Sequence, residues 1–119
     1  LFPKNYKKDV QVIATVLSVD GENDPSVLAM VAASGARATS SIPWDGPVGS
    51  LRVGAKDGTF FANPTGSELD FSDLDLVMTA TAKNIFMIEA GAASVPEEKI
   101  LGALLFGQEE AKKIKAPKP

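Results

Sequence analysis

Apolar side chains alternate along both faces of residues 10–19, VQVIATVLSV. A run rich in β-branched residues with two apolar faces is typical of a central strand that is covered on both sides. Asp20-Gly21 ends this predicted strand. Its first face carries Val10, Val12, Ala14 and Val16, and its second face carries Ile13, Leu17 and Val19.

Helical spacing replaces this alternation after Asp24. Asp24 is a favourable N-cap residue, and Pro25 is well tolerated in the first turn of a helix. The predicted helix ends by Ser40-Ser41, since the residue before Pro43 favours an extended backbone. Its packing face has apolar or small residues at i, i+3, i+4 and i+7, namely Val27, Met30, Val31 and Ser34.

Two β-hairpins are predicted in the centre of the chain. The first joins residues 47–54 and 59–62 through Asp57-Gly58, a favoured hairpin turn. A polar loop, GSELDFSD, separates it from the second hairpin, which joins residues 74–80 and 85–90 through Lys83-Asn84.

The last predicted element is a helix that starts near Ser94. The spacing of Ser94 and Glu97 predicts a capping box. Residues 114–119 are interpreted as a tail or linker. The apolar stripe of this helix is expected to consist of Ile100, Leu101, Leu104 and Leu105. Interspersed helices and hairpins indicate an α+β fold, a mixed β-sheet with helices packed on one side.

Composition narrows the functional classes. The 119 residues suit one domain, and a net charge of −3 gives no overall positive field for nucleic acid. Lysines gather at both ends and are interpreted as solvated. The absence of Cys and His excludes disulfides, cysteine chemistry, the serine triad and a histidine base.

Location is predicted from the same composition. No apolar run approaches the roughly 20 residues of a membrane span, and no signal peptide is visible, so a cytoplasmic setting without a membrane partner is expected. The chain begins at Leu1 rather than Met, which is interpreted as a piece of a longer polypeptide.

Seven strings, in order, resemble the polynucleotide phosphorylase family of the RNase PH superfamily, in the first of its two RNase PH-like cores. They are LFP at 1–3, VQVIATVLSVD at 10–20, NDP at 23–25, IPWDGPVGSLRVG at 42–54, NPT at 63–65, SDLDLV at 72–77 and ILGALLFG at 100–107.

The resemblance implies a division of the chain and an activity. Residues 1–65 would be the later part of the front half of that core, with a ribosomal-protein-like βαβ arrangement. Residues 72–113 would start its back half. The whole enzyme would be a homotrimer that uses inorganic phosphate to degrade RNA from its 3′ end, with Mg²⁺ or Mn²⁺, releasing nucleoside diphosphates.

The family's phosphate site also has a counterpart here. The active core binds phosphate with a Ser-rich loop at the helix start that follows Asn23 in this chain. Asp24 would repel phosphate there, and Pro25 has no N–H to donate. Ser26 is the only hydroxyl left, so plain capping is predicted instead of phosphate binding.

The family's metal site would fall in the acidic stretch from Glu68 to Asp75. By resemblance Asp73 matches one ligand, whereas Ser67 stands where the second would be. A single carboxylate is a poor Mg²⁺ site, and a solvated acidic loop is predicted. The cluster consists of Glu68, Asp70, Asp73 and Asp75.

Contact with RNA is left open for Arg37, Arg52 and Trp44. Structural ion pairs are favoured for both arginines, and packing at the domain edge or against a neighbouring subunit is favoured for Trp44 over base stacking. Gln108 departs from the family, which commonly has His after Phe-Gly. No catalytic or metal-binding residue is therefore predicted.

Three functions follow from these observations. The leading hypothesis is a structural, non-catalytic part of a phosphorolytic exoribonuclease, which partners the remainder of the same polypeptide. The second is a stand-alone RNA- or protein-binding module of the same fold. The third, a stand-alone phosphorolytic enzyme, is disfavoured by the missing Ser loop and the incomplete acidic pair.

Overall fold

A computed structural model describes residues 1–114 of the chain. It has an α+β fold, as the sequence predicts. In chain order the elements are α1 (Pro25–Ala38), β1 (Gly49–Lys56), β2 (Thr59–Ala62), α2 (Gly66–Leu69), β3 (Leu74–Ala80), β4 (Ile85–Ala92) and α3 (Glu97–Lys113).

The four strands form one sheet in the order β2-β1-β3-β4, and every neighbouring pair is antiparallel. The predicted mixed sheet is therefore wrong for the described residues, because their connections are hairpins or longer antiparallel returns. Both predicted hairpins are present. Asp57 and Gly58 have φ of 50° and 77°, the left-handed pair that a type I′ hairpin turn requires.

Helices cover both faces of the sheet, so the prediction of helices on one side is wrong. The alternation along β1 sends Leu51 and Val53 toward α3 and sends Ser50 and Arg52 toward α1. The α3 side holds the hydrophobic core, which comprises Leu51, Val53, Ala55, Leu74, Leu76, Met78, Ala80, Ala103 and Ala111.

Helix α1 is anchored to the opposite face by polar contacts. The Ser34 hydroxyl, which is buried, accepts the Val48 N–H at 3.1 Å. Ser50 and Thr79 share a hydrogen bond of 2.7 Å across β1 and β3, and the Thr79 hydroxyl also contacts the Met30 sulfur at 3.7 Å. These bonds satisfy polar groups beneath the helix and fix its position on the sheet.

The predicted strand over residues 10–19 is absent. The segment belongs to no helix or strand, and all but one of its residues are exposed. A strand forms only when a neighbour accepts its backbone hydrogen bonds, and no strand within residues 1–114 lies beside this one. The apolar alternation was visible in the sequence, but within residues 1–114 no strand pairs with it.

One capping prediction and one loop prediction are also corrected. Ser94 has φ of 54° and lies before the helix, whose N-cap is Pro96 with no side-chain hydrogen bond. A capping box exists instead at Thr65 and Glu68, where it starts the short helix α2 in the segment predicted to be a polar loop.

Helix α3 buries a different stripe from the predicted one. Its buried residues are small, Ala103, Gly107 and Ala111, whereas Leu101 and Leu105 are exposed. Small residues let the helix axis approach the sheet closely. Ile100 and Leu104 are partly buried against the core, as is Ile114 of the predicted tail. The rest of that tail, 115–119, with Lys115 and Lys118, lies outside the described residues.

Candidate functional site

The start of α1 is where the resemblance would put a phosphate. Asp24 adopts an extended backbone and accepts the Ser26 N–H at 2.8 Å. Hydrogen bonds from the Ser26 backbone and hydroxyl, followed by the charge of Arg52, lower the pKa of Asp24. The helix N-terminus therefore already holds a carboxylate, in the arrangement that the capping prediction describes.

Arg52 joins this helix end to the sheet. Its Nη1 contacts Oδ2 of Asp24, and its Nε lies 2.9 Å from Oδ1 of Asp75. Nε and that Oδ1 are both shielded from solvent without an aligned hydrogen bond, so the second contact is a pairing of charges. Arg52 thus forms the structural ion pair that was favoured from the sequence, and its guanidinium is engaged by two carboxylates.

The loop before α1 is closed by hydrogen bonds that sequence reasoning missed. Asp20 accepts the backbone N–H groups of Glu22 at 2.9 Å and Asn23 at 2.8 Å. With the Asn23 side chain, these donors lower the pKa of Asp20 to about 2. The pairing of Asp with Gly21, whose φ is 84°, was a usable turn signal.

Glu22 fastens the same loop to α2. Its carboxylate accepts the Ser67 hydroxyl at 2.8 Å, and its carbonyl accepts the Gly66 N–H at 2.7 Å. Ser67, which stands where the family's second metal ligand would be, is therefore bonded to a carboxylate from a distant part of the chain. This contact depends on tertiary structure and has no sequence signal.

The carboxylates of the acidic stretch from Glu68 to Asp75 point to different partners and do not meet at one site. Glu68 accepts the Thr65 N–H at 2.9 Å, Asp75 pairs with Arg52, and Asp73 lies 3.4 Å from the Lys56 ammonium. Asp70 is the C-cap residue of α2. Within residues 1–114, no three or more acidic side chains are grouped so that they could hold a metal ion.

Arg37 and Trp44 belong to a stacked column. The Arg37 guanidinium lies between two rings, 4.0 Å from the centroid of Phe2 and 4.6 Å from that of Trp44. Tyr6 stacks on Phe2 with centroids 6.3 Å apart. The ion pair favoured for Arg37 is therefore wrong within the described residues, and cation–π contacts take its place.

The Trp44 ring is packed against its neighbours. The Arg37 guanidinium packs on it, and the indole lies so close to Gly46 that a Cβ there would overlap it. Nε and Nη2 of Arg37 are enclosed and have no hydrogen-bond partner among the residues described. The Arg37 guanidinium therefore already packs on the Trp44 ring, and the column holds residues 1–6 and the loop at residues 43–47 against α1.

Gln108 lies on α3, away from the residues discussed above. Its side-chain amide donates to the carbonyl of Lys83 in the turn between β3 and β4, at 3.3 Å. This contact holds the helix over the end of that hairpin.

Comparison with known proteins decides the family. The sequence profile described as the 3′ exoribonuclease family, domain 2 (RNase PH), matches residues 46–110, which is more than half of the chain. The chain belongs to the 3′ exoribonuclease family. The matched region contains all four strands and most of α3, so the RNase PH-like resemblance and the α+β class are confirmed.

Curated relatives are similar over almost the whole chain. Polyribonucleotide nucleotidyltransferases from Rhodospirillum centenum and Caldicellulosiruptor saccharolyticus are 50% and 52% identical over 92% and 96% of it. The enzyme of that name from Clostridioides difficile is 48% identical over 96%. The chain spans 16% of the length of each of these relatives. Its division at residues 65 and 72 stays a prediction.

Protonation of Asp24 should weaken the contact between α1 and the sheet. Because its folded-state pKa lies below the ordinary 3.8, the charged form adds stability above about pH 4, and this is lost as pH falls through the folded pKa. Asp24→Asn keeps an N-cap but removes the charge. We expect the free energy of unfolding of the wild type to exceed that of the variant by about 0.5–1 kcal/mol at pH 7. This difference should shrink toward zero as the pH falls to 2.

Urea unfolding followed by circular dichroism measures this gap at each pH. The matched control is Asp9→Asn, since Asp9 is exposed and takes part in none of the hydrogen bonds or ion pairs found in residues 1–114. Its gap to wild type should stay near zero throughout. A gap for Asp24→Asn that does not change between pH 7 and pH 2 would contradict the assignment.

Proposed function

We propose that this chain is a structural, non-catalytic part of a polynucleotide phosphorylase, an enzyme that shortens RNA from its 3′ end. In that reaction a phosphate oxygen attacks the last phosphodiester, the bond to the preceding 3′ oxygen breaks, and a nucleoside diphosphate leaves. The observation that carries the proposal is the 45–52% identity to polyribonucleotide nucleotidyltransferases along 90–98% of this chain.

The local geometry supports an architectural role for this piece. The groups that would have to meet phosphate or metal are used within the fold: Asp24 and Arg52 hold α1 on the sheet, and Glu22 binds Ser67. A guanidinium that already contacts two carboxylates is a poor hydrogen-bond donor to phosphate, because an incoming phosphate would have to displace one of the carboxylates. Binding of phosphate and RNA is proposed to reside elsewhere in the polypeptide.

The remaining properties are carried over from the resemblance. We propose that the whole enzyme uses Mg²⁺ or Mn²⁺, forms a homotrimer and acts in the cytoplasm. Among residues 1–114, no helix combines the length and apolar composition that crossing a lipid bilayer requires.

A chimeric enzyme tests the proposal. In the Caldicellulosiruptor relative, which is 52% identical over 114 residues, the matching segment is replaced by this sequence. Incubated with RNA, inorganic phosphate and Mg²⁺ or Mn²⁺, the chimera is expected to release nucleoside diphosphates, and the isolated chain is expected to release none. Without phosphate, neither should react.

Two outcomes would count against the proposal. Release of nucleoside diphosphates by the isolated chain would show that it is catalytic. A chimera that assembles with the mass and circular dichroism of the parent enzyme but lacks activity would show that this sequence does not serve the phosphorolytic enzyme.

A further inference from the structure

Three Asp-Gly dipeptides occur in this chain, at residues 20–21, 45–46 and 57–58. We propose that Asp57, in the turn between β1 and β2, is a modification site that converts spontaneously to isoaspartate, whereas the fold protects Asp20 and Asp45. This site is independent of the proposed enzymatic function, because the reaction requires only water.

The conversion is a cyclisation followed by a hydrolysis. The backbone nitrogen of Gly58 attacks Cγ of the protonated Asp57 carboxyl group, and the proton on that nitrogen leaves with the carboxyl hydroxyl as water. The product is a cyclic imide, which a second water molecule opens. If the bond from the nitrogen to the former backbone carbonyl breaks, the chain runs through Cγ and the residue is isoaspartate. Breakage at Cγ restores aspartate.

The Asp57 carboxylate is not held by the fold. Among residues 1–114 it accepts no hydrogen bond and forms no ion pair, and the neighbouring Lys56 ammonium lies 3.4 Å from Asp73 instead. The attacking nitrogen is uncrowded, because Gly58 has no side chain and a Cβ built there would have no neighbouring atom within 4 Å. The carboxyl group and the nitrogen are therefore free to approach each other.

The backbone around Asp57 is weakly restrained. Ring closure requires rotation about the bond between Cα and the carbonyl carbon, which a paired hairpin opposes. The turn leads into β2, a strand of four residues at the edge of the sheet, which is paired with β1 on one side only among the described strands. Short edge elements open at a lower free energy than central strands, so the turn reaches the reactive conformation without unfolding of the domain.

Hydrogen bonds protect Asp20. Its carboxylate accepts the backbone N–H groups of Glu22 and Asn23 at 2.9 and 2.8 Å, and it also accepts a hydrogen bond from the Asn23 side chain. These donors lower the pKa of Asp20 to about 2, so the protonated acid from which water leaves is scarce at neutral pH. Exposure does not distinguish the two sites, since Asp20 and Asp57 are both exposed.

Packing protects Asp45. Its N–H donates to the Leu1 carbonyl at 2.7 Å, and the indole of Trp44 lies so close to Gly46 that a Cβ there would overlap the ring. The backbone on both sides of the reacting groups is thereby fixed. The Asp45 carboxylate makes no hydrogen bond or ion pair within residues 1–114, so this dipeptide isolates the effect of backbone restraint.

Conversion at Asp57 changes the hairpin itself. Isoaspartate adds one methylene group to the main chain, whereas the turn holds two residues between the paired Lys56 and Thr59. That pair cannot keep its register with the longer connection. The new α-carboxylate is the acceptor group of isoaspartyl methyltransferases, which defines the class of enzyme that would act on this site.

Incorporation of heavy oxygen from labelled water tests the site. The chimera described above and the isolated chain are incubated in labelled water at mildly acidic pH, where each passage through the imide places one solvent oxygen in the residue. Peptide mass spectrometry locates the label, and fragmentation at the Cα–Cβ bond identifies isoaspartate. In the folded chimera we expect at least about tenfold more label at Asp57 than at Asp20 or Asp45. In urea the three residues should label at rates within about threefold of one another.

Two variants separate the causes. Asp57→Glu keeps the negative charge but lengthens the side chain, so the same ring cannot form and the label at position 57 should disappear. Asn23→Ala removes the side-chain donor to Asp20, so the label at Asp20 should rise at least about twofold while the label at Asp57 stays unchanged.

Each outcome decides for or against the proposal. Preferential labelling of Asp57 in the folded chimera, with isoaspartate among the products, supports it. Equal labelling of the three residues in the folded chimera overturns it, and so does an unlabelled Asp57 in a folded chimera whose unfolded form is labelled. If the chimera does not assemble, the isolated chain decides by the same criteria, with its folding checked by circular dichroism.

Discussion

Replacing Leu76 with alanine is expected to lower the free energy of unfolding by about 2–5 kcal/mol. Leu76 lies on β3 with 0% of its surface exposed, opposite Val53 of β1 and beneath α3. Truncation removes its transfer free energy and leaves a cavity that the sheet backbone cannot close. For a domain of this size, the loss is a large share of a total stability of about 5–15 kcal/mol.

The same substitution at Leu105 is the matched control. Leu105 is on α3 but 58% exposed, so Leu105→Ala should change the free energy of unfolding by less than about 0.5 kcal/mol. Urea denaturation of both variants, followed by circular dichroism, measures the two effects. Equal losses at the two positions would show that α3 is seated on the sheet by another face.

Adding one methyl group at Gly107 should also destabilise the protein. A Cβ there would overlap the sulfur of Met78 and lie 3.1 Å from Cγ2 of Val53. Overpacking of this kind costs typically about 1–3 kcal/mol, more than the helix propensity of up to about 1 kcal/mol that alanine adds. Gly107→Ala is therefore expected to be less stable than wild type.

Gly35→Ala in α1 is the control for Gly107→Ala, because it adds the same methyl group at a position with free space around it. A Cβ added to Gly35 would have no neighbouring atom within 4 Å outside its own helix backbone, so only the helix propensity changes. We expect this variant to gain about 0.5–1 kcal/mol. Thermal unfolding of both variants measures the change in stability relative to wild type, which should be negative for Gly107→Ala and positive for Gly35→Ala. A stabilised Gly107→Ala would mean that α3 does not approach the sheet as closely as described.

Local signals predicted the elements well where the relevant contacts are close in sequence. The Asp24–Pro25 start of α1 and the Asp57-Gly58 hairpin are both present, because a cap and a two-residue turn involve only neighbouring residues. The capping box was predicted at the wrong place, since Ser94 and Glu97 have the required spacing but Ser94 lies before the helix in a left-handed conformation.

The candidate site was less predictable. The ion pair of Arg52 followed from its alternation with Leu51 and Val53 on a strand, but its partners are 28 and 23 positions away in sequence. Arg37 was assigned an ion pair, yet it is stacked between Phe2 and Trp44. Nothing in the spacing of three residues so far apart indicates that their side chains meet.

The sequence by itself determined the family, the α+β class, both hairpins and the N-cap of α1, because these depend on residue order and short-range backbone chemistry. Tertiary structure decided which stripe of α3 is buried, that helices lie on both faces, and that Glu22 holds Ser67. It also decided that residues 10–19 have the pattern of a strand without being one. A strand requires a partner's hydrogen bonds, and the partner's position is a property of the assembled fold.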